Sequence, residues 1–174
     1  LYSCLEHDSE IYFGSDNGRV WRYQKEGGQF LLLSLTASSR IVSIDGTDGE
    51  EMIFTTAKDG FFSYKFKIEE MEHFPASRFP KGSIHSVYVD KASEVWFEQH
   101  TPGSIMHFNP HTRILKREEI AVEPTSSDRS RPAFHVHEDA NGVLWVHPYG
   151  GGFSYFDRES NSLRSFYNSL SGHD

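Results

Sequence analysis

Apolar and polar residues alternate along this chain in short runs that return in a fixed order. FHVHE (134 to 138) alternates with a period of two, as a half-buried strand does, and Asn141-Gly142 supplies a hairpin turn before the apolar strand GVLWV. YGGG (149 to 152) makes a second turn, FSYFD a third strand, and SLRSFY (162 to 167) alternates as a fourth. The pattern predicts a four-stranded antiparallel meander. It predicts three more upstream: YSCL, EIYFG, RVWRY and QFLLLSL; then IVSI, EMIFT, FFSYKF and a weaker fourth strand; then IHSVYV, EVWFE, SIMHF and RILKRE. No segment keeps a 3.6-residue period over a dozen positions with caps, and FKIEEMEHF (66 to 74) fits a strand as well as a helix.

The meanders share an anchor, an apolar triplet followed by a glycine-bearing turn and a strand closing on an aromatic. It reads IYFGSDNGRVWRY, MIFTTAKDGFFSY, VWFEQHTPGSIMHF and LWVHPYGGGFSYF. The middle triplet residues Tyr12, Ile53, Trp96 and Trp145 follow one another at 41, 43 and 49 residues. Aromatic-rich meanders at that period mark β-propeller blades. The expected fold is therefore all-β, with blades over roughly 1–38, 39–78, 79–124 and 125–174 that form part of a larger propeller. The chain starts inside an inner strand and ends where a next blade would begin, so we expect it to self-associate as two halves of an eight-bladed ring or to close alone on four blades.

Composition narrows the partners. With 25 acidic against 17 basic residues and a net charge of -8, the 174-residue chain lacks the basic footprint that nucleic acid demands. No apolar run reaches the roughly 18 residues of a membrane helix, so no membrane contact by this segment is expected. Cys4, the single cysteine, excludes an internal disulfide.

Candidate chemistry is sparse. Asp139 lies six residues before Trp145, Asp90 six before Trp96, Thr47 six before Ile53 and Glu6 six before Tyr12. An acid at the hairpin shoulder in three copies of four suggests side chains that bond turn amides, and Glu138-Asp139 are read the same way. His135 and His137 share one strand face, and His147 on the next strand could approach them as a zinc set. Without a visible carboxylate second shell, ordinary polar strand positions are the better expectation, so neither metal nor cofactor is assigned. DGTDGEE (45 to 51) is dense in acids but lacks the ligand spacing of a calcium loop, and reads as an exposed turn. YGGG precedes no helix, and no nucleophile elbow is present.

In the last copy Glu138-Asp139, Gly142, Leu144-Trp145, Gly151-Gly152 and Phe156-Asp157 fall in a register that resembles the two-component regulator propeller repeat. The third copy keeps Asp90, Val95-Trp96 and Phe108-Asn109, while Tyr12 and Ile53 replace the tryptophan in the first two. The resemblance implies the periplasmic sensor region of a hybrid two-component histidine kinase of Bacteroides type. In such receptors further blades, a sandwich domain, a membrane helix and kinase modules belong to the parent chain. It implies a non-catalytic segment that contributes to glycan or oligosaccharide sensing; a propeller lyase or hydrolase, or a protein-interaction scaffold, are the alternatives. The resemblance places ligands on loops at the propeller faces, and the insertion EEIAVEPTSSDRSRPAF (118 to 134) is the longest such loop. Arg129 and Arg131 within it, with Trp96, Trp145 and Tyr149 as stacking faces, are the expected ligand contacts. Packing between blades is the competing role for the two tryptophans, and their periodic placement favours it. An oligosaccharide, the remaining blades of the parent chain and a second copy in a homodimer are the expected partners.

Overall fold

The computed structural model describes residues 3–33, 37–79, 84–99, 104–119, 134–148 and 153–166. These form four four-stranded antiparallel sheets, each a meander in chain order. The first holds β1 (Ser3–His7), β2 (Glu10–Gly14), β3 (Val20–Gln24) and β4 (Gln29–Leu32); the second holds β5 (Ile41–Gly46), β6 (Glu51–Thr56), β7 (Gly60–Lys65) and β8 (Glu70–Pro75). β9 (Ile84–Val89), β10 (Val95–Gln99), β11 (Ser104–Asn109) and β12 (Ile114–Glu119) make the third. β13 (Phe134–Glu138), β14 (Leu144–Pro148), β15 (Phe153–Asp157) and β16 (Ser162–Phe166) make the fourth. The chain is all-β, as the alternating pattern demands, and FKIEEMEHF resolves into a turn and β8. A single 3₁₀ turn, Ala76–Arg78, interrupts the described strands, and no helix among the described residues is long and apolar enough to cross a membrane.

Sheets stack face to face, and three apolar clusters fill the gaps between consecutive sheets. Tyr12, Val20, Ile41, Phe54 and Phe62 join the first sheet to the second. Ile53, Phe61, Phe74, Phe97 and Phe108 join the second to the third, and Trp96, Ile105, Val136, Val146 and Phe156 join the third to the fourth. Strand periodicity explains how both faces are used: Ile53 points to the third sheet while its neighbours Met52 and Phe54 point to the first. The middle sheets therefore read as apolar on both faces, and all six residues of β6 are buried. Gly14 is required at the first gap, since a Cβ there would lie 2.6 Å from the Ile41 side chain.

Side chains of one sheet also bond backbone groups of the next. Ser3 Oγ accepts the Ile44 N–H at 2.8 Å, Asp45 Oδ2 accepts the Val89 N–H at 3.0 Å, and Tyr88 Oη accepts the Glu138 N–H at 3.1 Å. Glu98 Oε1 takes the Val136 N–H at 3.0 Å, and Glu138 Oε2 returns across the same gap to the Lys91 N–H at 2.7 Å. These contacts satisfy donors that an inner strand leaves unpaired on its open edge.

Among the described residues, packing joins sheets that follow one another, through β1 with β5, β5 with β9 and β10 with β13. Among the described residues, Phe30 on the first sheet is 61% exposed and Phe153 on the last is 54% exposed.

Candidate functional site

The turn acids decide which carboxylates are available. Asp139 Oδ1 accepts the N–H groups of Asn141 and Val143 at 2.9 and 3.0 Å, and its Oδ2 accepts the Trp145 indole N–H at 3.0 Å. Asp90 repeats this with Ala92, Glu94 and Trp96, each at 2.9 Å, and also takes Arg158 Nη2 at 3.0 Å. The hydrogen bond from Trp145 leads the interactions that hold the Asp139 carboxyl below its usual range. Thr47 fills the same place in the second sheet, its hydroxyl bonding the Glu51 carbonyl at 3.1 Å.

Two expectations need correction. Glu6 is not a turn acid, because the first hairpin is tighter: Glu6 pairs with Ile11 inside the ladder, and only Asp8 and Ser9 connect His7 to Glu10. Its counterpart is Glu138, which pairs with Leu144 and is buried against the third sheet instead of sitting in the turn. DGTDGEE is likewise not wholly an exposed turn. Asp45 and Gly46 belong to β5, Glu51 opens β6 in a buried position, and Thr47 is buried between them.

The site residues proposed from sequence do not converge. Trp96 has no exposed surface; it stacks on His107 with ring centroids 4.5 Å apart and meets Phe156 edge-on at 4.8 Å. As folded it has no ring face open to a ligand, which is the packing role. Trp145 lies on the open face of the last sheet beside His135, His137, His147 and Phe153. Within the ladder His135 opposes His147, as expected, but His137 opposes Trp145. Tyr149, Arg129 and Arg131 lie outside the described residues, as does most of the 118–134 loop and the YGGG turn.

A separate cavity lies elsewhere. It is a cleft of about 760 Å³ between the first two sheets, at the end carrying the β1–β2, β5–β6 and β7–β8 turns, and the Pro110-His111 turn of the third sheet borders it. One wall is aromatic: the His7 imidazole lies flat on Phe66, 3.7 Å between centroids and 7° between planes, and Tyr12 sits 5.5 Å from Phe66. The other wall is a chain of hydrogen bonds. Tyr12 Oη donates to Glu10 Oε2 at 2.7 Å, Gln24 Nε2 donates to Glu10 Oε1 at 3.1 Å, and Arg22 Nη1 donates to Glu69 Oε1 at 2.8 Å. Arg22 Nε, 3.6 Å from Glu10 Oε1, is a buried donor with no acceptor.

Charge in the cleft is already organised. Burial works to raise the Glu10 pKa, but the Tyr12 and Gln24 hydrogen bonds with the Arg22 and His7 charges outweigh it and leave the group below the usual carboxylate range. Burial first, then the bond to Glu10, pushes the Tyr12 phenol far up. Glu10 is thus an anion and Tyr12 a neutral donor across the physiological range, an arrangement that holds and orients but leaves no proton poised for transfer. The sequence held a partial signal in Glu10-x-Tyr12 and Arg22 facing each other across a predicted hairpin. The apposition of Phe66 and His111 depends on how sheets stack, which no local pattern encodes.

No protein-family model and no curated protein sequence matches the chain. Among solved structures it is similar to virginiamycin B lyase from Staphylococcus aureus, at TM-score 0.71 and 12% identity over 98% of this chain and 56% of that one. It is similar to the extracellular domain of a hybrid two component system from B. thetaiotaomicron, at TM-score 0.63 and 15% identity over 92% of this chain and 22% of that one. It is also similar to the β-propeller domain of Myceliophteria thermophila Cps50, at TM-score 0.64 and 11% identity over 92% of this chain and 53% of that one. At these identities the likeness shows the fold: four β-propeller blades. The chain spans about half the length of the lyase it matches.

Proposed function

We propose that this chain is a non-catalytic, extracytoplasmic sensor segment of a hybrid two-component receptor that contributes to oligosaccharide recognition, with the signal passed to kinase modules in the parent protein. The observation that carries this reading is how four carboxylates of the repeats and the cleft, Asp90, Asp139, Glu10 and Glu51, are engaged. Asp90 and Asp139 bond turn amides and indoles, Glu10 is held by Tyr12 and Gln24, and Glu51 is clamped by Arg113. A glycosidase needs two carboxyl groups converging across one bond. The cleft instead offers what a saccharide site needs for holding: a flat aromatic wall and fixed donors and acceptors. The repeat resemblance and the shared fold with an extracellular two-component domain point the same way.

Calorimetry with a panel of neutral and acidic oligosaccharides, coupled to product analysis, tests this. The expected result is binding without turnover, weakened at least tenfold by Arg22→Gln at an unchanged melting temperature. Product formation would move the chain to the lyase or hydrolase alternative, and failure of every panel member to bind would sink the saccharide assignment.

A further inference from the structure

An acid recurs at one position of the repeat, and its partner changes from gap to gap. Glu10, Glu51 and Glu94 each lie two residues before the middle triplet residue, Tyr12, Ile53 and Trp96. In the ladders those middle residues oppose Arg22, Ser63 and His107. The first acid meets Arg22, whose Nε lies 3.6 Å from Glu10 Oε1, and the second meets Arg113, whose Nη1 bonds Glu51 at 2.9 Å. Both partners are guanidinium groups, which keep their charge at any pH a folded protein meets. The third acid meets an imidazole instead: His107 Nδ1 lies 3.4 Å from Glu94 Oε2.

His107 is buried in the gap between the third and fourth sheets, stacked on Trp96 and met edge-on by Phe156 of the fourth sheet at 5.4 Å. Its other nitrogen, Nε2, lies 3.3 Å from Glu118 Oε1. A neutral imidazole has one N–H and can serve only one of the two carboxylates. With that N–H on Nε2, the Nδ1 lone pair faces Glu94 Oε2, and both atoms are shielded from water with no other hydrogen-bond partner. One further proton, on Nδ1, satisfies both atoms at once. It belongs to the ring and not to the acid, because the His107 contact comes first among the interactions that hold the Glu94 carboxyl below its usual range. Burial opposes that effect, and Asn109 and the Arg158 charge assist it. Around the ring, Lys116 pairs with Glu118 at 2.5 Å, and Arg158 of the fourth sheet reaches Asp90 at 3.0 Å and lies 3.8 Å from Glu138. Asp90, Glu94, Glu118 and Glu138 thus face two fixed cations, and an imidazolium supplies positive charge that the gap lacks.

We propose that His107 holds a proton between Glu94 and Glu118, and that this proton latches the fourth sheet to the third. The ring carries the Trp96 stack on which Phe156 seats, and Lys116, paired with Glu118, crosses to the Asn161 carbonyl at 2.7 Å. Without the proton, two carboxylates face a ring that can answer only one. The unanswered acid then opposes a lone pair in a space closed to water, and the gap relieves this by opening to solvent. Opening releases the proton, so the closed gap is favoured at low pH and weakens as pH rises through the histidine range. The same position in the first and second gaps is answered by arginine and does not titrate there. His135, whose Nδ1 lies 3.3 Å from Glu98 across the third gap, is a second titratable contact, but its side chain is more than half exposed and water can replace either partner.

Hydrogen exchange at about pH 5 and about pH 8 tests the proposal, read as protection factors so that the intrinsic pH dependence of exchange cancels. At the higher pH the amides of β13, β14 and β15 are expected to lose protection by at least about tenfold, while those of β6 and β7 keep theirs. Nitrogen-15 spectra of the imidazole should show two N–H groups on His107 at the lower pH and one at the higher. Glu94→Gln replaces the missing proton with an amide N–H that can donate to Nδ1 of a neutral ring, leaving Trp96, His107 and Phe156 in place. It should remove the pH dependence of the fourth sheet, and His135→Gln should leave that dependence intact. Equal protection of the fourth sheet at both pH values overturns the proposal. So does a single N–H on His107 at the lower pH, a full pH dependence in Glu94→Gln, or its loss in His135→Gln.

Discussion

Single side chains decide more here than their surface fraction suggests. Arg113 leaves the β11–β12 turn and crosses to the second sheet, where Nη1 bonds both oxygens of Glu51 at 2.9 and 3.0 Å, Nε bonds Glu72 at 3.0 Å and Nη2 bonds Ser63 at 2.9 Å. Its guanidinium also lies over Phe108 and Phe74, at 5.0 and 5.5 Å. Arg113→Ala strands the nearly enclosed Glu51 carboxylate and should cost about 3 kcal/mol in urea denaturation. Arg113→Lys should recover only part, because a point charge cannot reproduce the fork. Asp45 behaves in the opposite sense. Burial raises its pKa, with the Val89 and Gly46 amides pulling back. The sign follows: a folded pKa above the unfolded value favours the folded state at low pH, and that advantage is lost as pH rises through the folded pKa. Asp45→Asn keeps an acceptor for Val89 without the charge. Its denaturation midpoint relative to the parent should therefore rise as pH increases above about 4, the ordinary carboxylate value; a constant difference would refute the desolvation account.

At the scale of elements, the sheets are pinned by close approach, and Gly14 is the position where that is most exposed to test. A methyl there has no room against Ile41, so Gly14→Ala should destabilise by about 1–3 kcal/mol although alanine suits a strand better than glycine. Ile41→Ala, which removes the Cγ2 atom 2.6 Å from that methyl, should cost less in the Gly14→Ala chain than in the parent, a coupling that a general strand effect would not give. Element identity was largely legible beforehand, because period-two alternation, Asn141-Gly142 and the recurring triplet are local signals. The site was less so. Trp96 and Trp145 are interchangeable in sequence, yet one is sealed by Phe156 and the other is not, and the difference lies in what stacks on each sheet. Glu6 was misplaced because counting back from Tyr12 ignores a hairpin one residue shorter; only the ladder register reveals that its partner is Ile11. The cleft was out of reach for the same reason, being made where turns from three sheets meet.

For the whole molecule, stacking is the governing arrangement. Among the described residues the packed gaps join consecutive sheets, so stability is a sum of sheet terms and gap terms, and the two middle sheets own two described gaps each while the first and last own one. Burial follows that arithmetic: β6 and β7 are buried almost throughout, as are β10 and β11, whereas all four residues of β4 are exposed. Hydrogen exchange should accordingly rank the amides of the second and third sheets as slowest and those of β4 among the fastest, since sub-global opening starts where fewest contacts are lost. Uniform exchange across the four sheets would mean that the chain opens as one unit, and that the gaps couple the sheets more strongly than nearest-neighbour stacking allows.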